Sequence, residues 1–306
     1  MKAIHLVLPA LFFAVTSCTL DKTDFEEEIA VEIPENYSFE EVFSSQKETY
    51  KISVEALNGT FYKGYNEVRV KLTNVQTEEF LANSTITFFP VLTVADKQES
   101  CPHASILEYN SDEQYFEGYV VFTKDSNVGD WNIQLNFTIE SGDFQVDKIV
   151  SVVQQPNKNL NMTSFTGNDE QYYIIALIAP QKPKVAENNL VAGIYKYVGD
   201  ESAIINNEPN ALASSFAVVN KYTLLLDPRM PEPSMGNHSS PNNRDLIQGE
   251  DGLYHGVVNY TMTGNWTLNF IMQNQNGKIV KGTEVSTDFT PGVEGEKSEL
   301  YIDILF

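Results

Sequence analysis

The chain has 306 residues, with 42 acidic against 20 basic side chains and a formal net charge of −22. That balance excludes a nucleic-acid binder, whose phosphate contacts need Lys and Arg. It fits an exported body that repels its neighbours.

The first residues read as a signal. Lys2 supplies a short positive start, and residues 4–15 form an apolar run too short to span a bilayer. Val15-Thr-Ser-Cys18 follows and resembles a bacterial lipobox, with Val15 where the pattern prefers Leu and Ser17 where it prefers Gly or Ala. The resemblance implies removal of residues 1–17, acylation of Cys18, and a protein anchored to the lipid bilayer rather than spanning it. It implies the cell envelope of a Gram-negative bacterium: an outer-membrane lipoprotein, on the periplasmic face or surface-exposed. The other reading is an ordinary secretory signal with a coincidental cysteine. No later segment has eighteen consecutive apolar residues. Residues 18–45 read as a flexible acidic tether, from Asp24-Phe-Glu-Glu-Glu28 through Glu35, Glu40 and Glu41. An early acidic run after the lipidated cysteine also resembles the surface-export signals of Bacteroidetes lipoproteins.

The body contains a repeat. Tyr115-Phe-Glu-Gly118 is followed by Gly129-Asp-Trp131, and Leu253-Tyr-His-Gly256 by Gly264-Asn-Trp266. The chain has two tryptophans, and they fall at equivalent places. Alternating apolar and polar residues mark strands at 50–54, 67–72, 84–91, 116–122, 131–139 and 144–153 in the first copy. In the second they mark 172–178, 190–197, 216–226, 254–262, 266–272, 278–285 and 299–305. Short strands separated by Gly, Asn, Asp and Pro turns, with no long helical period, give an all-β class. The reading is two tandem β-sandwiches, 46–157 and 165–306, with the boundary in the polar, Pro-containing stretch 154–161 and the linker at 158–164. Trp131 and Trp266, with Gly118 and Gly256, are the expected structural anchors.

The least ordinary stretch is Asp227-Pro-Arg-Met-Pro-Glu-Pro-Ser-Met-Gly-Asn-His238. Its prolines exclude helix interior and central strand, so it reads as a rigid loop. Met230, Met235 and His238 are soft or borderline donors suited to Cu(I). The corresponding stretch of the first copy holds Cys101 and His103, which are second-rank candidates for the same metal or a separate one. The plain alternative is that the methionines fill gaps.

Here the second copy is similar to the FixH-like/YtkA-like domain, an immunoglobulin-like sandwich of exported proteins. The residues carrying the resemblance are Met230 through His238, Asp251-Gly-Leu-Tyr-His-Gly256 and Gly264-Asn-Trp266. Asn237 interrupts the Gly-His pair, and no Met stands between Pro90 and His103. The resemblance implies copper handling, with copper as cofactor and a copper-handling or other envelope protein as partner.

Catalytic motifs are missing from the sequence. Cys101 and His103 lack an orienting third group, and there is no phosphate-cradling Gly loop, His-Glu-X-X-His or calcium-loop spacing. The expectation is therefore no enzyme. Two readings stand: a Cu(I) carrier or homeostasis lipoprotein, and a non-metal interaction module whose tandem domains bind a protein or glycan.

Overall fold

A computed structural model describes residues 37–95, 97–139, 142–155, 161–199 and 215–306. The signal, Cys18 and the tether as far as residue 36 lie outside the described residues.

Eleven strands make the first body: β1 (Phe39–Lys47), β2 (Tyr50–Leu57), β3 (Phe61–Tyr62), β4 (Gly64–Asn74), β5 (Thr85–Val94), β6 (Lys97–Ser100), β7 (Ile106–Asn110), β8 (Tyr115–Phe122), β9 (Asp130–Ile139), β10 (Gly142–Val150) and β11 (Val152–Val153). Eleven more make the second: β12 (Met162–Thr166), β13 (Tyr172–Ala179), β14 (Glu187–Tyr197), β15 (Phe216–Val218), β16 (Thr223–Met230), β17 (His238–Ser239), β18 (Arg244–Gln248), β19 (Tyr254–Asn259), β20 (Asn265–Gln273), β21 (Ile279–Lys281) and β22 (Tyr301–Leu305). No helix occurs among the described residues.

The two bodies share one strand order. The first sheet runs β1-β2-β4-β8-β7-β5-β9-β10, and the second runs β12-β13-β14-β19-β18-β16-β20-β21. In each, one short strand turns the corner: β7 pairs with β8 and β5, and β18 pairs with β19 and β16. The sheet thus folds over itself, and alternate side chains from its two halves meet inside. Val54, Val70 and Phe122 meet Phe88, Trp131 and Leu135 in the first core. Ile175, Ile194 and Tyr254 meet Leu224, Trp266 and Phe270 in the second.

The anchors do equivalent work. Trp131 and Trp266 are both fully buried. Each indole N–H donates to a carbonyl of the preceding loop, Lys124 or Met262, at 3.0 Å. This satisfies the one polar atom of a large apolar side chain. Gly118 and Gly256 let the corner strand come close. A Cβ on Gly118 would run into the Leu107 side chain of β7, and one on Gly256 would lie 2.6 Å from the Arg244 carbonyl oxygen of β18. Two buried asparagines form matching latches. Asn66 accepts from Tyr62 N and donates to Tyr62 O and Gly64 O; Asn188 accepts from Lys184 N and donates to Lys184 O and Ala186 O.

Three boundaries differ from the sequence reading. Residues 39–45, read as the end of the tether, belong to β1, which pairs with β2 from Phe39↔Leu57 to Lys47↔Tyr50. The acidic residues of this strand face solvent at a sheet edge, where charge is ordinary. Residues 162–164, read as linker, belong to β12 and pair with β13. Asp227 to Met230, read as loop, complete β16. Pro228 is tolerated because β16 pairs with β20 there, while on its other edge β18 reaches only Leu224 and β17 starts at Arg229. Pro90 occupies the same gap in β5, between its pairings to β7 and β6. A proline needs only an unpaired edge locally, not an edge strand.

The bodies touch through outer sheet faces. Val121 of β8 packs with Met162, Ile174, Ala176 and Tyr195 of β12–β14, flanked by Tyr65, Tyr119 and Phe216.

The two glycines predict unequal tolerance. Gly118→Ala meets the movable end of a leucine, whereas Gly256→Ala meets a backbone oxygen. Denaturant unfolding should show the Gly256 variant losing more stability, about 1–3 kcal/mol, and the Gly118 variant less. Equal losses would contradict this account of the corner.

Candidate functional site

The five predicted donors fall in different settings. Met230 is 1% exposed and belongs to the second core. Arg229 faces Thr267, so Met230 falls opposite Trp266, as Leu92 falls opposite Trp131 in the first body. Met230 therefore stands where the first copy has a leucine, and its methyl packs against Gly264. It is a core side chain of a strand, not a loop residue. Met235 is 38% exposed on the turn that follows. His238 is the strand partner of Met230, but its Nε2 bonds Thr261 Oγ1 at 2.9 Å and its ring meets Trp266 edge-on at 6.1 Å.

Cys101 is completely buried in the first core and forms no disulfide. Burial pushes its thiol pKa well up, so it stays a protonated thiol rather than a soft thiolate. His103 is buried as well, with Nδ1 2.7 Å from the Cys101 carbonyl oxygen. A carbonyl only accepts, so Nδ1 carries the proton and Nε2 is left as a buried lone pair with no partner. Burial lowers the His103 pKa and keeps the ring neutral, edge-on to Phe89 at 5.1 Å. His103 and His238 are not equivalent by register: Leu92 pairs with Glu99, and Met230 with His238, so His238 matches Glu99. The register thus keeps Cys101 in one core and Met230 in the other. Among the described residues no group of three or more His, Cys, Asp or Glu side chains is arranged to hold a metal ion.

The structure assembles a different feature, on the outer face of β4, β8 and β7. A groove of about 420 Å³ is lined by Tyr65, Glu67, Ile106, Glu108, Glu117 and Tyr119. Gly118 lies in its lining, with the Leu107 side chain filling the space where a Cβ would stand. Tyr65 and Tyr119 stack at 5.8 Å with 15° between their planes, and Tyr119 also meets Tyr195 of the second body at 6.4 Å. Burial raises the pKa of all three phenols, so they remain neutral donors.

The electrostatics of the groove are unbalanced. Glu108 and Glu117 are direct cross-strand partners. Like charges so placed repel, at a cost of some tenths of a kcal/mol, roughly. Arg69 is the other cross-strand partner of Glu117, but it is turned away. Its Nε bonds Glu67 Oε1 at 2.8 Å and its guanidinium lies over Phe39 and Tyr115, 3.5 and 4.7 Å from the ring centroids. Among the described residues, neither Glu108 nor Glu117 forms an ion pair; Glu117 only accepts from Asn110 Nδ2 at 3.3 Å. Sequence reasoning passed over these residues. Their trace was the outward set Tyr65, Glu67, Arg69 on one strand and Glu117, Tyr119 on the next, which reads as ordinary polar alternation.

No protein-family model and no curated protein matches the chain. Among solved structures, a DUF4785 family protein of Legionella pneumophila aligns with 76% of this chain, at 9% identity and a TM-score of 0.24. The chain spans 56% of that protein's length. Likeness at that level carries no argument about function.

The placement of the methionines makes a sharp prediction. Met230→Ala should cost about 2–5 kcal/mol in equilibrium unfolding, as a core truncation does. Met235→Ala should stay within about 0.5 kcal/mol, as surface changes do. A Met230 variant as stable as the parent would return that side chain to the list of donors held for a ligand.

Proposed function

We propose that the protein is an interaction module of the cell envelope, anchored through acylated Cys18, whose first body takes a basic protein segment in the Tyr65–Tyr119 groove. The observation that carries this reading is the pair Glu108 and Glu117, held together without a cation beside two stacked phenol rings. A Lys or Arg side chain laid in the groove would neutralise both carboxylates and gain cation–π attraction from the tyrosines. The exposed Ile106, at 61%, offers an apolar contact at the rim. A net charge of −22 would steer a basic partner at long range. Cu(I) handling is the less supported proposal. With Met230 in the core and Cys101 a buried thiol, it would rest mainly on Met235 and His238, one of which already bonds Thr261. Anaerobic Cu(I) titration of wild type against Met235→Ala/His238→Ala measures that residue pair directly.

Binding of a fluorescent oligolysine peptide to the full-length protein tests the groove. Glu108→Lys/Glu117→Lys should weaken binding about tenfold or more, as loss of two charge pairs does. The control Glu187→Lys/Glu250→Lys has the same net charge and should change it little. Equal weakening by both would reduce the effect to bulk charge and remove the groove. Glu108→Gln alone should raise the unfolding midpoint slightly, because it removes the repulsion.

The anchor has its own test. Cys18→Ala should move the protein from the membrane to the soluble fraction of a Gram-negative host. Unchanged membrane retention would place the anchor elsewhere.

A further inference from the structure

The second body carries a crevice whose lining is largely apolar around one charged pair. It lies on the outer face of β16 and β20, beneath residues 282–300, which contain no strand. Its volume is about 350 Å³, the size at which small-molecule sites begin. Residues 282–300 are fixed over the sheet: Ser298 N donates to Asn269 Oδ1 at 2.8 Å and Gly295 N to Pro231 O at 2.7 Å.

Arg229 lines the crevice and is 7% exposed. Its Nε donates to Asp227 Oδ2 at 2.8 Å. Among the described residues its two terminal amino groups have no hydrogen-bond partner, and neither is fully enclosed, so four N–H donors are open to the crevice. A buried guanidinium is costly unless its donors are satisfied. The fold itself does not require it. In the first body the same register position is Val91, 3% exposed, and the position of Asp227 is Phe89. An apolar solution to packing this face therefore exists in the same chain, and the second body has replaced it with an ion pair.

The surroundings select the ligand. Asp245 and Glu284 put two further carboxylates on the crevice wall, and the Asp227–Arg229 pair is already neutral. A simple anion would meet uncompensated negative charge, and a simple cation would meet the guanidinium. A neutral polyol satisfies both sides: its oxygens accept from the Arg229 amino groups and its hydroxyls donate to Asp245 and Glu284. Leu225, Ile271 and Val285 offer an apolar wall for ring C–H groups. We infer that this crevice binds one unit of a neutral saccharide, with Arg229 as the central donor. The site is separate from the groove of the first body and stands or falls without it.

The test is an NMR titration of the full-length protein with methyl glycosides of glucose, galactose and mannose, and separately with acetate. It follows the Arg229 Nε–Hε resonance, assigned by its loss in Arg229→Lys, together with the backbone amide resonances of Leu225, Ile271 and Val285, which report binding in the variants as well. At least one glycoside should shift that resonance saturably, with an affinity that salt does not change. Arg229→Lys keeps the ion pair but lacks the planar fork, and should weaken binding about tenfold or more. Glu284 is exposed on the irregular segment, so Glu284→Ala should leave the unfolding midpoint unchanged while weakening binding severalfold. Glu108→Lys/Glu117→Lys should leave sugar binding intact. The inference is overturned if no glycoside shifts Arg229, if acetate saturates the signal in their place, or if Arg229→Lys binds like wild type.

Discussion

Each sandwich is closed by a short strand that must lie almost against the backbone of its neighbour. β7 over Gly118 and β18 over Gly256 are where one sheet changes direction and becomes two facing halves. A side chain at Gly256 would press on the backbone of β18, and one at Gly118 would displace the Leu107 side chain of β7. Burial of Trp131 and Trp266 then rewards the closure, since each indole N–H finds a carbonyl in the loop that leads into its strand. The glycine supplies clearance and the tryptophan supplies the apolar area; neither is sufficient alone.

The shared strand order lets one body act as the control for the other. Where the two agree, as in the Asn66 and Asn188 latches, the residue serves the architecture. Where they disagree on a buried position, the change needs another reason. Leu92 against Met230 is a volume-conserving exchange inside a core and needs none. Val91 against Arg229 exchanges an apolar side chain for a charged one at the same depth, and packing cannot explain it. The same comparison separates His238 from His103, which similarity of loops alone had placed together.

Much of this architecture was legible in the chain. The Gly-X-Trp repeat announced two equivalent bodies because tryptophan is rare and its position in a sandwich is demanding. The corner strands were not legible. β7 and β18 have five residues each, and Ile106 and Ile247, at 61% and 64% exposed, sit beside buried Leu107 and Leu246 and blur the alternation. Nor could sequence place Met230. Methionine is both a soft donor and a core filler, and only the strand register opposite Trp266 decides between them. Proline misled for a related reason: Pro228 excludes pairing on one edge of β16, not membership of the strand. The groove escaped notice because the repulsion between Glu108 and Glu117 depends on which residues face each other across β7 and β8, and no spacing along the chain encodes that.

The edge strand β1 has a colloidal consequence. Its outward side presents Glu40 and Glu41, and its pairing with β2 slips between Glu41 and Phe43. A second molecule approaching in register would find a bulge and two carboxylates where a template should be. Strand-by-strand growth into fibres is therefore blocked at the edge nearest the amino terminus. Molecules with this edge and this net charge can be crowded at high concentration with little tendency to join edge to edge into a continuous sheet.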